Sequence, residues 1–314
     1  MSKCDALFIG TAILDSVIKG FDSEPVSITG YRAESASLNI GGEAVNGAIA
    51  GAKLGMRTAI LCFLGNDVAG SMIEGELAEH GVSTEYVVRT DEHPTPITTM
   101  FVADDGSRKS ITNKAHAYNF HPEQYVDILS DTKAVVLGSL FRAPFNEPDV
   151  LRSVTEAAQE RGVTVFADTK LPNFTQLTLD DIADSLPLID YITPNEDEAR
   201  YYSGENEPEK MADVFLEMGA RNVIIKLGGQ GCFFKNGEEA FYMPAYNVNP
   251  VDATGAGDNF LAGFVSEIIC GNNVKDALTF ANACGAICAS AVGAGTALHD
   301  REQVERLIAD GKVE

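Results

Sequence analysis

The sequence predicts an α/β fold in which a doubly wound, mostly parallel β-sheet is flanked by helices. Short apolar runs rich in β-forming residues recur along the chain, and amphipathic stretches of helical length lie between most of them. Strand, helix and strand at this spacing form βαβ units, whose sheet is covered on both faces. The length of 314 residues, of which 45% are hydrophobic, is enough for two domains or for one large α/β domain.

The predicted elements of the main sheet follow one another along the chain. Strands are predicted over the apolar runs 6–9, 58–64, 134–137, 163–167, 190–193 and 223–227. Helices are predicted over the amphipathic stretches 44–54, 68–80, 149–161 and 208–218. From Gly257 onward apolar pairs recur with the spacing of one helix face, and a second C-terminal helix, rich in Ala, Gly and Cys, is predicted over 274–291.

Other segments interrupt this alternation and predict a small antiparallel sheet at one edge of the main domain. The runs 98–103 and 109–113 flank Asp104-Asp105-Gly106-Ser107, which is a turn signal for a β-hairpin. The runs 14–19 and 35–40 are also strand-like, and no helical pattern separates them. The alternative is that these pieces are surface decoration. A further hairpin is predicted over 231–243.

The charge of the chain excludes some classes of partner. There are 23 Lys and Arg residues against 46 Asp and Glu residues, so the formal net charge is −23. Binding to nucleic acid needs a basic face that displaces counterions from phosphates, and docking on anionic lipid needs basic clusters. Neither nucleic acid nor a membrane is therefore expected as a partner, although a local basic pocket for an anionic substrate is compatible with this composition.

No targeting or membrane-spanning segment is expected from the sequence. No apolar run approaches the roughly 18–20 residues that a membrane helix needs, and the first residues lack the basic and apolar regions of a signal peptide. The six cysteines form no Cys-x-x-Cys pair, and most lie in apolar runs, where cysteine behaves as a small hydrophobe. These features favour a reduced, cytoplasmic protein.

The strongest chemical signal is the segment Asp252-Ala253-Thr254-Gly255-Ala256-Gly257-Asp258, directly before a predicted helix. Glycines allow a tight turn and a close approach to a ligand, and the N–H groups of a helix's first turn favour an anion. The residues alone leave two roles open for Asp258: a helix cap, or a general base that takes a proton from a hydroxyl attacking the anion. The Walker A, dinucleotide-binding and protein-kinase motifs are all absent from the sequence.

A second glycine-rich site runs from Gly41-Gly42 to Asn46, between a predicted strand and a predicted helix. The amide of Asn46 falls within the first turn or two of that helix, where it is able to hydrogen-bond a sugar hydroxyl. Taken alone, the pattern is also typical of a tight strand–helix turn.

Together these two sites resemble the ribokinase family of carbohydrate kinases, also called the PfkB family. Its Gly-Gly turn followed by Asn is matched by Gly41, Gly42 and Asn46, and its motif D-x-x-G-A-G-D-x-F is matched residue for residue over 252–260. Lesser matches along the chain are Gly10, Asp15, Gly65-Asn66-Asp67, Asn195 with Glu198, the loop 227–231, and Asn282. The resemblance implies one ribokinase-like domain over 1–314, in which the small sheet, from about 12–40 and 95–115, is a lid.

The resemblance also implies roles for individual residues. Asp258 is implied to be the general base, and the N–H groups of Gly255, Ala256 and Gly257 to form an anion hole for the γ-phosphate. The residues implied to hold the acceptor sugar are Asp15, Gly41, Gly42 and Asn46. Those implied to bind ATP are Asn195, Lys226, Gly228, Gly231 and Asn282. Those implied to bind metals are Glu198 for Mg²⁺, through water, and Asp252, Thr254 and Gly293 for K⁺.

At several positions the sequence leaves a structural role open or departs from the family. The position of Glu198 is also typical of a solvated carboxylate at a helix start. The position of Lys226 is also typical of a surface lysine at a strand end. Lys170 is able to contact a phosphate or acid group of the substrate, but a surface lysine is the commoner outcome for such a pattern. The family's namesake has lysine after Gly-Gly, where this chain has Glu43. The sequence therefore does not determine the sugar.

The resemblance predicts an ATP-dependent sugar kinase, a phosphotransferase with an alcohol group as acceptor, that uses Mg²⁺ and K⁺. A homodimer through the lid is expected because a small exposed sheet has edges that need covering. Two alternatives are a nucleoside kinase of the same fold, for which Phe101, Tyr118 and Phe120 are candidate base-stacking residues, and an inactive sugar- or nucleotide-binding regulator.

Overall fold

The computed structural model describes residues 3–20, 33–103, 108–113, 120–173 and 176–311. Its strands are β1 (Cys4–Ile9), β2 (Ile13–Lys19), β3 (Ser35–Gly41), β4 (Thr58–Leu61), β5 (Phe63–Gly65), β6 (Val88–Thr90), β7 (Ile97–Val102), β8 (Arg108–Thr112), β9 (Thr132–Leu140), β10 (Thr164–Thr169), β11 (Tyr191–Ile192), β12 (Asn222–Lys226), β13 (Cys232–Asn236) and β14 (Ala240–Met243). Its α-helices are α1 (Glu43–Lys53), α2 (Val68–Glu79), α3 (Pro148–Glu160), α4 (Glu196–Ser203), α5 (Pro208–Glu217), α6 (Ala256–Ile269), α7 (Val274–Ala289) and α8 (Arg301–Asp310).

The main sheet has eight strands in the order β14-β13-β12-β11-β10-β9-β1-β4. The strands from β12 to β4 are parallel, and β13 and β14 extend one edge in antiparallel fashion. Because β1 lies between β9 and β4, the chain winds in both directions from the middle of the sheet. The predicted doubly wound, mostly parallel α/β fold is confirmed.

Two apolar cores cover the opposite faces of the main sheet. In β1, Leu7 and Ile9 pack into one core and Ala6 and Phe8 into the other, as the alternation of side chains in a strand requires. The first core includes side chains of α3, α4 and α5, and the second includes side chains of α1, α6 and α7. Burial on both faces explains why the central strands are almost continuously apolar.

A separate four-stranded sheet, in the order β3-β2-β7-β8, projects from the main domain. The predicted small sheet is confirmed, but it is mixed rather than antiparallel, because β2 and β7 pair in parallel. The reason is that β2 and β7 are joined through elements of the main domain instead of through a hairpin. The predicted turn at 104–107 and the segment 21–32 lie outside the described residues.

Some element boundaries differ from the prediction. The run 58–64 forms two strands: β4 joins the main sheet, and β5 pairs with β6 in a two-stranded sheet. The run is almost wholly buried, so periodicity gave no sign of where the chain leaves the main sheet. The predicted strand 190–193 is shorter, and α8 was not predicted.

In the described part of the chain no helix is both long and apolar enough for a bilayer. All six cysteines are free thiols.

Candidate active site

The carboxyl ends of two parallel strands of the main sheet place a lysine in contact with an aspartate. β10 ends at Thr169 and β12 at Lys226, and ligands of α/β sheets bind at the carboxyl ends of the strands. Lys226 Nζ lies 2.7 Å from Asp168 Oδ1 and 2.9 Å from Oδ2. The Lys226 side chain is only 12% exposed, so it is not a surface lysine. A Cβ on Gly257 would lie 3.2 Å from Nζ, which places the ammonium against the start of α6.

The segment that precedes α6 turns at Gly255, which has a φ of 76° and is the N-cap of the helix. A Cβ on Gly255 would lie 2.6 Å from Ala294 Cβ, so both the left-handed backbone and the close contact require glycine. No side chain caps this helix start. Of the three predicted anion-hole donors, the Ala256 N–H already donates to Ala253 O at 3.1 Å. The first turn thus keeps its positive dipole end for a ligand.

Asp258 lies in the first turn of α6 and faces Asn46 from α1. Because Gly255 is the N-cap and no side-chain cap is present, the interpretation of Asp258 as a helix cap is wrong. The Asn46 amide donates to Asp258 Oδ2 at 2.7 Å. The structure therefore joins the two glycine-rich sites that the sequence singled out, although they lie far apart along the chain.

The surroundings of Asp258 favour its neutral form more than water does. Burial raises its pKa, and the negative charges of Glu43 and Asp168 raise it further, while Lys170 and the Asn46 hydrogen bond oppose them; the resulting pKa is about 7. A carboxylate with a pKa near neutrality is suited to accepting and releasing a proton at physiological pH.

The Gly-Gly turn brings Asp15 of β2 close to the start of α1. A Cβ on Gly41 would collide with Asp15 Oδ2, and a Cβ on Gly42, whose φ is 102°, would collide with Thr11 O. Burial and the charge of Glu43 raise the pKa of Asp15 to about 6. Asp15, the Gly-Gly turn and the Asn46–Asp258 pair are thus gathered at one place.

A cavity of about 520 Å³ lies on the other side of the α6 start. It contains four of the five predicted ATP-binding residues and two of the three predicted anion-hole residues: Lys226, Gly228, Gly231, Asn282, Ala256 and Gly257. Gly231 has a φ of 99°, and a Cβ at this position would collide with Met243 O. The Asn282 amide donates to Pro244 O at 3.4 Å. The cavity is of the size that small-molecule ligands occupy.

Asn195 and Glu198 form a capping box at the start of α4. Asn195 Oδ1 accepts from the Glu198 N–H at 2.9 Å, and Glu198 Oε2 accepts from the Asn195 N–H at 3.0 Å. The Thr169 hydroxyl donates to the same Oε2 at 2.9 Å. Glu198 is 4% exposed, so it is not a solvated carboxylate, and burial, followed by the charge of Asp168, raises its pKa. Asn195 does not line the cavity of about 520 Å³, but its backbone pairs with that of Lys226.

Asp252 connects the segment before α6 to the loop after α7. Its Oδ1 accepts from Thr254 N and Oγ1 at 3.0 and 2.6 Å, and its Oδ2 accepts from Gly293 N at 3.1 Å. The three residues predicted for K⁺ are therefore in contact. Over the described ranges no group of three or more His, Cys, Asp or Glu side chains is arranged to hold a metal ion.

The pair Glu43–Lys170 is part of the site, and the sequence analysis did not assign it. Glu43 Oε1 lies 3.4 Å from Lys170 Nζ, and the side chains are 22% and 33% exposed. Burial alone would lower the pKa of Lys170, but Glu43 and then Asp258 raise it above its usual value. Lys170 is therefore not a solvent-facing lysine. The sequence held one signal for this pair, the glutamate at position 43 where the family's namesake has lysine. That difference becomes informative only when the basic partner of Glu43 is known.

The chain matches the family described as pfkB family carbohydrate kinase over residues 8–301. The chain belongs to this family. The PfkB chain is accordingly a carbohydrate kinase, a phosphotransferase with an alcohol group as acceptor.

Relatives and solved structures agree with this membership. Ribokinase of Staphylococcus aureus is 28% identical over 278 residues, covering 85% of this chain and 87% of the relative. 2-Dehydro-3-deoxygluconokinase of Bacillus subtilis is 29% identical over 289 residues, covering 87% and 88%. The structure of Arabidopsis thaliana ribokinase complexed with ribose and ATP has a TM-score of 0.86 and 25% identity, and covers 98% of this chain and 99% of that chain.

Proposed function

We propose that this PfkB protein transfers the γ-phosphate of ATP to a hydroxyl of a small sugar, with Asp258 as the general base. The observation that carries the proposal is the position of Asp258 between the cavity at the α6 start and the Gly-Gly turn. The start of α6 faces the cavity of about 520 Å³, and the Asp258 carboxylate contacts Asn46 beside the Gly-Gly turn. A base at this position is able to deprotonate an acceptor hydroxyl directed at a phosphate in the cavity.

The cavity is proposed to bind ATP. Lys226 lies at its phosphate end, and Asn282 lies among the small residues Gly285 and Ala286 of α7, which leave space for a flat ring. Gly255 and Gly257 supply the anion-hole N–H groups, and Ala256 joins them when its turn hydrogen bond opens. Losing one such donor typically lowers a rate by about 10²–10³.

Mg²⁺ is proposed to be held through water by the buried oxygens near Glu198. The donor chemistry fits, since Glu198 and Asp168 are carboxylates placed beside Lys226, and Mg²⁺ prefers oxygen ligands and retains water. When bound, the ion neutralises charge on the phosphates. Asn195 is proposed to act there by orienting Glu198 through the capping box.

K⁺ is proposed to bind where Asp252 joins Thr254 and Gly293. One observation supports a cation nearby: Asn259, 1% exposed, has a side-chain oxygen without a hydrogen-bond partner, and its amide contacts Gly255 O at 2.8 Å. A Cβ on Gly295 would lie 3.5 Å from that oxygen. Measuring phosphorylation in potassium and in choline salts tests the proposal; equal rates would contradict it.

The lid is proposed to form a homodimer contact. Leu38 and Ile111 are 55% and 67% exposed. In the register of the sheet they share a row with Ser16 and Thr99, on the face opposite Asp15. Exposed apolar side chains on a small sheet need a cover. We also propose a cytoplasmic location, for which the six free thiols are support.

The experiment that tests the proposed activity is a coupled assay of ADP release with a panel of neutral sugars, sugar acids, sugar phosphates and nucleosides. The expected result is release that depends on a sugar, with a phosphate ester identified as product. Release with nucleosides alone would favour the nucleoside kinase. Phe101 and Phe120 are described, whereas Tyr118 lies outside the described residues. Binding without turnover of any compound would favour the inactive regulator.

A further inference from the structure

The space beside the proposed base is lined by carboxylates. Glu43 begins α1 directly after Gly42, and its charge raises the pKa of both Asp15 and Asp258. Gly41, two residues before Glu43, lies against the Asp15 carboxylate, and Asn46, three residues after it, contacts Asp258, so the start of α1 adjoins both the residue proposed to bind the sugar and the residue proposed to deprotonate it. A small void of about 10 Å³ touches Glu43, Asp168 and Asp258 together.

Lys170 is held in this space by its backbone as well as by its side chain. Its N–H donates to Leu140 O at 3.1 Å, and its carbonyl accepts from the Tyr202 hydroxyl at 2.6 Å. Tyr202 in turn stacks on Phe141, with ring centroids 3.9 Å apart. These contacts fix the backbone of Lys170, and the ion pair with Glu43 positions its ammonium.

The two described lysines near this space are already paired with carboxylates, and Arg142, whose charge lowers the pKa of Glu43, donates to a carbonyl. Lys170 pairs with Glu43 at 3.4 Å, Lys226 pairs with Asp168 at 2.7 Å, and Arg142 Nε donates to Leu171 O at 2.8 Å. An acceptor that carries a carboxylate or phosphate would face Asp15, Glu43 and Asp258, and would have to displace Glu43 to reach Lys170. Like charges repel across such a space, and a partly buried site weakens this repulsion less than bulk water does.

We propose that the Glu43–Lys170 ion pair is a selectivity filter that admits uncharged polyols and rejects anionic acceptors. This inference rests on the proposed function, since it concerns the acceptor of that reaction. Both partners have hydrogen-bonding capacity toward a neutral sugar: the carboxylate accepts from hydroxyls and the ammonium donates to them. Glu43 also neutralises Lys170, and Asp168 pairs with Lys226, so an acid or phosphate group on the acceptor meets no lysine whose charge is open to it among these residues.

The test compares acceptors that differ in charge. D-Ribose, D-fructose, 2-dehydro-3-deoxy-D-gluconate and D-fructose 6-phosphate are used as probes, and both kcat/KM and equilibrium binding by calorimetry are measured. The wild-type protein is expected to bind and phosphorylate a neutral sugar at least about tenfold better than either anion. Preference for an anionic acceptor would overturn the inference, and so would the failure of every probe to bind.

Variants of the Glu43–Lys170 ion pair test whether it is responsible for the preference for neutral acceptors. Glu43→Gln leaves Lys170 unpaired, so the ratio of kcat/KM for anionic over neutral acceptors is expected to rise about tenfold or more. Glu43→Asp, which keeps the charge, is the matched control and should leave the ratio near that of wild type. Adding Lys170→Met to Glu43→Gln should remove the gain. An unchanged ratio in Glu43→Gln would contradict the filter.

The two readouts separate the inference from the proposed function. Selective binding of neutral sugars, altered by Glu43→Gln but without any phosphorylation, would leave the filter standing and contradict the kinase proposal. Phosphorylation of an anionic acceptor by the wild-type protein would support the kinase proposal and contradict the filter.

Discussion

The two halves of the site are built in different ways. The side proposed for the nucleotide is formed largely by small residues and backbone, with Gly228, Gly257 and Gly285 lining its cavity. The side proposed for the acceptor is formed by charged side chains from separate segments, among them Asp15, Glu43 and Lys170. A surface made of backbone suits a phosphate group that many kinases share, whereas paired side chains are able to distinguish one acceptor from another.

Removing the base where the two halves meet has the largest expected effect. Asp258→Asn should lower kcat by about 10²–10⁴, because an amide does not accept the hydroxyl proton. ATP binding and thermal stability should stay close to wild type. Rates are measured by ADP release and binding by calorimetry; activity within a few-fold of wild type would contradict the role of Asp258.

A matched control for this change is Asp276→Asn. Asp276 occupies the third position of α7, as Asp258 does in α6, but it is exposed and accepts from the Asn273 amide at 2.7 Å. The control should keep full activity. It therefore separates the loss of a base from the loss of a negative charge in a helix's first turn.

On the nucleotide side, Gly257→Val should lower kcat/KM for ATP by about 10²–10³. A Cβ at this position lies only 3.2 Å from Lys226 Nζ, so a branched side chain displaces the ammonium and blocks the phosphate. Gly237→Val is the control, because a Cβ at Gly237 meets no atom within 4 Å. Normal ATP kinetics in Gly257→Val would refute the placement of the phosphate at the α6 start.

On the acceptor side, the pH dependence of kcat/KM should report the carboxylates around Asp258. Its pKa of about 7 lies above the usual value, so the base is protonated at low pH and activity should rise as the pH passes through about 7. Glu43→Gln removes a charge that raises this pKa and leaves Lys170, which lowers it. The pH at which kcat/KM rises should therefore be lower in Glu43→Gln, while Glu43→Asp should move it little. A rise at the same pH in Glu43→Gln would contradict an effect of the Glu43 charge on Asp258.

The smallest effect on the proposed nucleotide half is expected from the exposed Leu38 and Ile111 of the proposed lid sheet. Leu38→Asp combined with Ile111→Asp should shift the protein from dimer to monomer in sedimentation experiments, because charges are costly to bury in an apolar contact. The KM for ATP should change by less than about twofold. A wild-type protein that sediments as a monomer would contradict the dimer, and a double variant that remains a dimer would show that the contact lies elsewhere.

The sequence by itself determined the fold class and singled out most of the residues that line the cavity proposed for the nucleotide. The alternation of strands and helices reflects burial on both faces of the sheet, and the segment 252–258 contains glycines wherever the backbone turns or approaches a neighbour, as at Gly255. Such features are local, because backbone conformation and helix starts depend on residues close in the chain. They are therefore visible in a single sequence.

Only the tertiary structure decided which side chains meet on the proposed acceptor side and how the strands of the small sheet pair. In the sequence Lys170 is typical of a surface lysine, and a metal role for Glu198 follows only from the family resemblance. The structure brings both residues to the candidate site because β10, α1 and α4 converge at one edge of the sheet. The parallel pairing of β2 with β7 likewise depends on a crossover through the main domain. The physical reason is the same in each case: ion pairs and strand pairing join residues distant in the chain, and their energies depend on distances and burial that exist only in the folded protein.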